Sequence, residues 1–108
     1  DAAMQDLALD DIQIDRTTLQ AQAQIARAAG YTQLAQNLER AAELTAVPRG
    51  EIISMYQLMR PGRATYAELQ ALADRLTHEY AAPICAALVR EAADVYRQRN
   101  MLKRPPAF

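Results

Sequence analysis

Cys85 is the only cysteine among the 108 residues, so no intrachain disulfide can form and a reducing compartment is the simpler expectation. His78 is the only histidine, and tryptophan is missing altogether. The three glycines, Gly30, Gly50 and Gly62, stand apart from one another, so there is no glycine-rich phosphate loop and nucleotide binding has no support. Neither sign of charge is in excess: 12 Lys plus Arg stand against 13 Asp plus Glu, which offers little to attract nucleic acid or an anionic membrane. No apolar run approaches the roughly 20 residues that span a bilayer, and no charged-then-apolar leader opens the chain. A soluble, cytoplasmic protein is expected, and the start at Asp1 rather than Met suggests a trimmed or truncated form.

Strand signals are missing too. Alternation of apolar and polar residues never persists, and Ala, Leu, Gln, Glu and Arg dominate, so an all-α fold is expected, a small bundle of about five helices. Residues 1–14 read as an acidic, weakly patterned arm or short helix, 15–104 as the helical domain and 105–108 as a C-terminal tail. A chain this short buries only about two-thirds of its unfolded surface by itself, so a partner's surface would help it considerably.

Asp15 is placed to cap a first helix with Leu19, Ala23 and Ala26 on one face, and Gly30 to end it. Thr32 is expected to cap a second, with Leu34, Leu38, Ala41, Ala42 and Thr45 inward and Glu39, Arg40 and Glu43 mostly elsewhere. Pro48 suits the first turn of a third helix, whose stripe of Ile52, Ile53, Tyr56 and Met59 runs up to the Pro61-Gly62 stop. Thr65-Tyr66-Ala67-Glu68 fits a capping box ahead of Leu69, Leu72, Ala73, Leu76 and Tyr80. Pro83 restarts the chain into a last helix expected to reach about Leu102, with Cys85, Leu88, Val89, Ala92, Val95 and Tyr96 as its buried stripe.

Chemistry is sparse along these helices. Asp74 and His78 share a face at i, i+4 and could give two metal ligands, but a surface or partner-facing histidine is the ordinary reading. Position 82 is Ala, so His78-Glu79 lacks the second histidine of a zincin helix. Cys85 lies on an apolar stripe with no base beside it and reads as a small core residue. Asp6, Asp10, Asp11 and Asp15 do not form a calcium-loop pattern. Arg60-Pro61-Gly62-Arg63 sets two guanidinium groups beside a rigid turn, where they could clamp a phosphate or a carboxylate of another chain or merely complement a helix dipole. Arg97, Arg99, Lys103 and Arg104 make a basic end to the last helix. No convergent set of acid, base, nucleophile or metal ligands emerges, so the candidate catalytic, cofactor-binding and metal residues number none.

Three stretches are more particular than amphipathicity requires: Asn37-Leu38-Glu39-Arg40-Ala41-Ala42-Glu43-Leu44-Thr45-Ala46-Val47-Pro48, Tyr56-Gln57-Leu58-Met59-Arg60-Pro61-Gly62-Arg63, and Ile84-Cys85-Ala86-Ala87-Leu88-Val89-Arg90-Glu91-Ala92-Ala93-Asp94-Val95-Tyr96. Together they closely resemble the small subunit of adenosylcobalamin-dependent diol and glycerol dehydratases, over about Ile12 to Leu102. The resemblance implies a large, a medium and a small chain in two copies each, a heterohexamer that converts 1,2-diols or glycerol to aldehydes by radical dehydration. It places the substrate on the large chain and adenosylcobalamin between the large and medium chains, with no catalytic or cofactor residue on the small one. The expected role here is to brace the large subunit, through a surface around Tyr56, Arg60, Pro61 and Arg63 together with Tyr96 and Arg97 of the last helix. Longer family members carry an N-terminal extension linked to packaging in bacterial microcompartments, and no such extension precedes Asp1, which leaves encapsulation open. Gly62, Pro83 and the Pro105-Pro106-Ala107-Phe108 ending depart from the family pattern and put the preferred substrate in doubt.

Two rivals come from other classes. A free-standing helical adaptor or transcription-associated module would suit short helices joined by tight turns, but no basic recognition helix is seen outside the C-terminal end. A small metal-dependent helical enzyme would have to rest on Asp74 and His78.

Overall fold

The computed structural model describes residues 15–104, which are helical throughout apart from turns. Five helices follow one another: α1, Arg16–Ala28; α2, Thr32–Leu44; α3, Arg49–Leu58; α4, Tyr66–His78; and α5, Pro83–Gln98. The chain divides after Thr45 into two compact units. The readings made for residues 1–14 and 105–108 lie outside the described residues.

In the N-terminal unit α1 and α2 pack as a helical hairpin. The Asp15 carboxylate accepts the Thr18 backbone N–H at 2.8 Å and opens α1. Gly30, at φ 89°, closes it, because the left-handed turn lets the Gly30 and Tyr31 N–H groups reach back to the Arg27 and Ala26 carbonyls. The buried side chains are Leu19, Ala23 and Ala26 on α1 and Ala35, Ala42 and Glu43 on α2.

Three expectations for α2 are corrected here. Tyr31, not Thr32, occupies the cap position, and no side chain caps it. The buried face is turned away from Leu34 and Thr45, both exposed, because a seam of alanines lets the helices approach closely and pushes the larger Leu34 outward. Glu43, expected off the apolar side, is buried. Arg16 satisfies that helix end: its Nε donates to the Ala42 carbonyl at 3.3 Å and its Nη2 to the Glu43 carbonyl at 3.1 Å, which supplies the cationic C-terminal cap that the last turn of α2 lacks in its own sequence.

In the C-terminal unit α4 and α5 pack along their length, and α3 meets α4 more lightly. Leu69, Leu72, Ala73 and Leu76 on α4, with Cys85, Ala86, Val89 and Ala93 on α5, are buried. Pro83 begins α5 as expected, since a first-turn position needs no N–H. Tyr80 is half-buried beyond the end of α4. Leu88 is 44% exposed, against the expectation that it joins the buried stripe, because Ala86 and Ala93 bring the α5 seam in closer on its other edge. α5 also ends at Gln98 rather than near Leu102. Asn100 adopts φ 57° there, and the Met101 and Asn100 N–H groups bond back to the Tyr96 and Arg97 carbonyls, a glycine-like stop that Asn tolerates.

The Thr65-Glu68 capping box is present in full: the Glu68 N–H donates to Thr65 Oγ1 and the Thr65 N–H to Glu68 Oε1, each at 3.1 Å. Chiefly through the Thr65 backbone N–H, then the Thr65 side chain, the Glu68 carboxyl is held below its ordinary value of 4.5. A carboxyl lowered on folding stabilises the fold above the unfolded value and loses that contribution as pH falls through the folded one. The stability gap between the wild type and Glu68→Gln, from urea unfolding at a series of pH values, should therefore be open at neutral pH and close below about 4.5. A gap that persists unchanged at pH 3 would show that the charge is not what the cap uses.

Candidate functional site

The Pro61-Gly62 stop works as the sequence suggests, with α3 ending at Leu58 and Gly62 at φ 79°. What the sequence does not reveal is how firmly the turn is held. The Tyr96 hydroxyl donates to the Met59 carbonyl at 2.5 Å. The Gly62 N–H donates to the Met101 carbonyl and the Lys103 N–H to the Ala64 carbonyl, both at 2.8 Å. A short backbone pairing thus ties residues 62–64 to 101–103, and the two cationic side chains project from a fixed frame.

Tyr56, Arg60, Pro61 and Arg63 are all exposed. Arg60 and Arg63 line an open cleft of about 420 Å³ together with Ser54, Gln57 and Leu58. Tyr96 is half-buried, and its hydroxyl is engaged with the turn. Arg97 belongs to a neighbouring cluster: its guanidinium lies 4.4 Å from the centre of the Tyr66 ring and its Nη2 3.5 Å from Asp94 Oδ1, while the Tyr66 hydroxyl donates to the same Asp94 oxygen at 2.8 Å. So the structure brings Arg60, Arg63 and Tyr96 together around one turn and gives Arg97 a separate, stacked position.

Sequence periodicity misplaces the inner face of α3. Only Met55 is buried on this helix, whereas Ile53 is 49% and Tyr56 62% exposed. Ile53, Tyr56, Gln57 and Arg60 follow at i, i+3, i+4 and i+7, so one outward stripe carries two large apolar groups beside the cleft. The signal for Ile53 was there, in an apolar periodicity that has two candidate faces and no internal rule to choose between them. The N-terminal unit shows a similar surface, an apolar groove of about 450 Å³ formed in part by Ile25, Tyr31, Leu34 and Leu38.

The remaining candidates disperse. His78 is exposed at the end of α4, while Asp74 accepts from Arg90 Nη2 at 3.0 Å and is engaged across to α5. Cys85 is buried, as expected of a core residue. Among the described residues, no group of three or more His, Cys, Asp or Glu side chains is placed to hold a metal ion, and no helix is long and apolar enough to cross a membrane.

These features define a small all-α chain whose distinctive parts are presented surfaces: a rigid cationic turn and two exposed apolar faces. The chain belongs to the dehydratase small subunit family, whose model matches residues 1–103. It is 54% identical over 93 residues to the propanediol dehydratase small subunit of Citrobacter freundii, covering 86% of this chain and 54% of that protein. The propanediol dehydratase small subunit of Salmonella typhimurium gives the same identity and coverage. The chain spans about half the length of these curated relatives. Nothing in the comparisons supports a helical adaptor or transcription-associated module.

Proposed function

We propose that the chain is a non-catalytic small subunit of an adenosylcobalamin-dependent diol or glycerol dehydratase, joined with large and medium subunits in two copies each and bracing the large one. The observation that carries this reading is the 54% identity over 86% of the chain to propanediol dehydratase small subunits. The geometry supports it through α3, a ten-residue helix that buries a single side chain and is too short to be stable on propensity alone. A covering partner on Ile53 and Tyr56 would supply the missing packing, with Arg60, Pro61 and Arg63 beside it and Tyr96 and Arg97 buttressing the same end of the unit.

The described residues do not suit a cobalamin of their own. The clefts beside the turn are open and lined mainly by polar and cationic residues, with Leu58, Met101 and Leu102 among them, and the one histidine, exposed at the end of α4, lines neither. In this reading the corrin lies with the other subunits, and no step of the reaction is assigned to this chain. The place of the assembly in this reading is the cytoplasm, with a bacterial microcompartment as the family's second location.

Co-expression with the large and medium subunits of one operon should yield a single complex that dehydrates propane-1,2-diol or glycerol only when adenosylcobalamin is added. Omitting this chain should leave a large subunit that is less soluble and less active. Separate elution of the three chains in size-exclusion chromatography would refute the reading.

A further inference from the structure

Three arginines of the C-terminal unit are matched internally: Arg75 lies 3.0 Å from Glu51, Arg90 3.0 Å from Asp74 and Arg97 3.5 Å from Asp94. Arg60 and Arg63 have no carboxylate within ion-pair distance among the described residues. The carbonyls at the end of α3 are met by backbone groups and Tyr96, not by the Arg60 and Arg63 side chains. The Met55 carbonyl accepts the Met59 N–H and the Gln57 carbonyl the Arg60 N–H, and the Met59 carbonyl is taken by Tyr96. Two like charges three residues apart repel, yet the turn is fixed so that both line one cleft with Ser54 and Gln57.

Such a set is rich in donors and positive, and the backbone that carries it is tied down before anything binds, which spares part of the ordering cost of recognition. Planar guanidinium forks match a carboxylate in a bidentate way. The exposed Ile53 and Tyr56 beside it give the apolar, aromatic and arginine mixture typical of a protein interface rather than of a free-anion site. We infer that the cleft of Ser54, Gln57, Arg60 and Arg63 receives an acidic side chain of the large dehydratase subunit, an inference that rests on the subunit role proposed above. Recognition is by charge and fork geometry, so it sets the affinity and salt dependence of assembly and leaves the chemistry untouched.

The test uses the full chain titrated onto the large and medium subunits over a range of NaCl concentrations. Arg60→Gln/Arg63→Gln should weaken association at least about tenfold at low salt and flatten its salt dependence, with turnover per assembled complex unchanged. Arg60→Lys/Arg63→Lys keeps the charge without the fork and should fall between the two. Arg99→Gln/Arg104→Gln removes the same charge outside the cleft and should behave as wild type. Equal affinity and salt slope for Arg60→Gln/Arg63→Gln and the wild type would overturn the inference while leaving the subunit role standing. If the wild-type chain itself fails to join the other subunits, the subunit role falls first. Titration of the full chain with glutarate, followed by NMR of the arginine Nε–H groups, then decides the cleft. Shifts at Arg60 and Arg63 that the double Gln variant abolishes uphold carboxylate recognition, whereas no shift, or tighter binding of inorganic phosphate, overturns it.

Discussion

Leu72→Ala should destabilise the C-terminal unit by about 2–5 kcal/mol, the range for truncating a buried leucine whose surroundings cannot collapse. Leu69, Leu72 and Leu76 are fully buried on α4, with Val89 opposite on α5, and they are the largest side chains in a seam otherwise built from Ala73, Ala86, Ala93 and Cys85. Small neighbours on rigid helices have few rotamers with which to fill a void. Total stability in domains of this size is only on the order of 5–15 kcal/mol, so the loss is a large fraction of what holds the unit together. Urea unfolding followed by helical circular dichroism measures it directly. Leu88→Ala is the internal comparison: with Leu88 44% exposed, the isolated chain should change by less than about 0.5 kcal/mol. Equal losses at the two positions would mean that the seam is not where the stability lies.

That contrast between Leu72 and Leu88 also marks how far the sequence is legible. Most features decided within one turn of chain read through correctly: the Asp15 cap, the Thr65-Glu68 box, the Pro83 start and the Gly30 stop each follow from local donor counting and backbone freedom, whereas the Thr32 cap does not form and Pro48 stands one position ahead of the first turn. Asn100 has the same left-handed capacity as Gly30 but carries a weaker signal, and the end of α5 is overestimated accordingly. Faces are harder to read. Leu34, Ile53, Tyr56 and Leu88 all obey helical periodicity, and all are exposed, because periodicity reports an apolar stripe without saying whose core it enters. Where alanines line the inner seam, as Ala35 and Ala42 do on α2 and Ala86 and Ala93 on α5, a larger apolar group on the same helix, Leu34 or Leu88, is left outside. The candidate site divides in the same way. The Arg60-Pro61-Gly62-Arg63 turn is visible in the sequence, while the hydrogen bond that fixes it spans 37 residues from Met59 to Tyr96 and leaves no local trace.

Tyr56→Ala should weaken binding to the large and medium subunits by about 2 kcal/mol or more, roughly a thirtyfold rise in dissociation constant, without unfolding the chain. The two halves of this expectation have separate grounds. Tyr56 is 62% exposed, and no hydrogen bond to its side chain is recorded among the described residues, so its removal takes little from the fold. Its ring is a large, stiff apolar group with few rotamers to freeze, standing beside Ile53 and the Arg60 cleft, and truncation of such a group in a water-excluding contact removes buried area and packing together. Tyr56→Phe keeps the ring and should retain most of the affinity, which separates ring burial from any hydrogen bond made by the hydroxyl. Isothermal titration of each variant with the other two subunits, beside a thermal melt of the free chain, gives both quantities. An unaltered melt with a weakened dissociation constant is the expected pair, and an unaltered dissociation constant would remove the outward face of α3 from the interface.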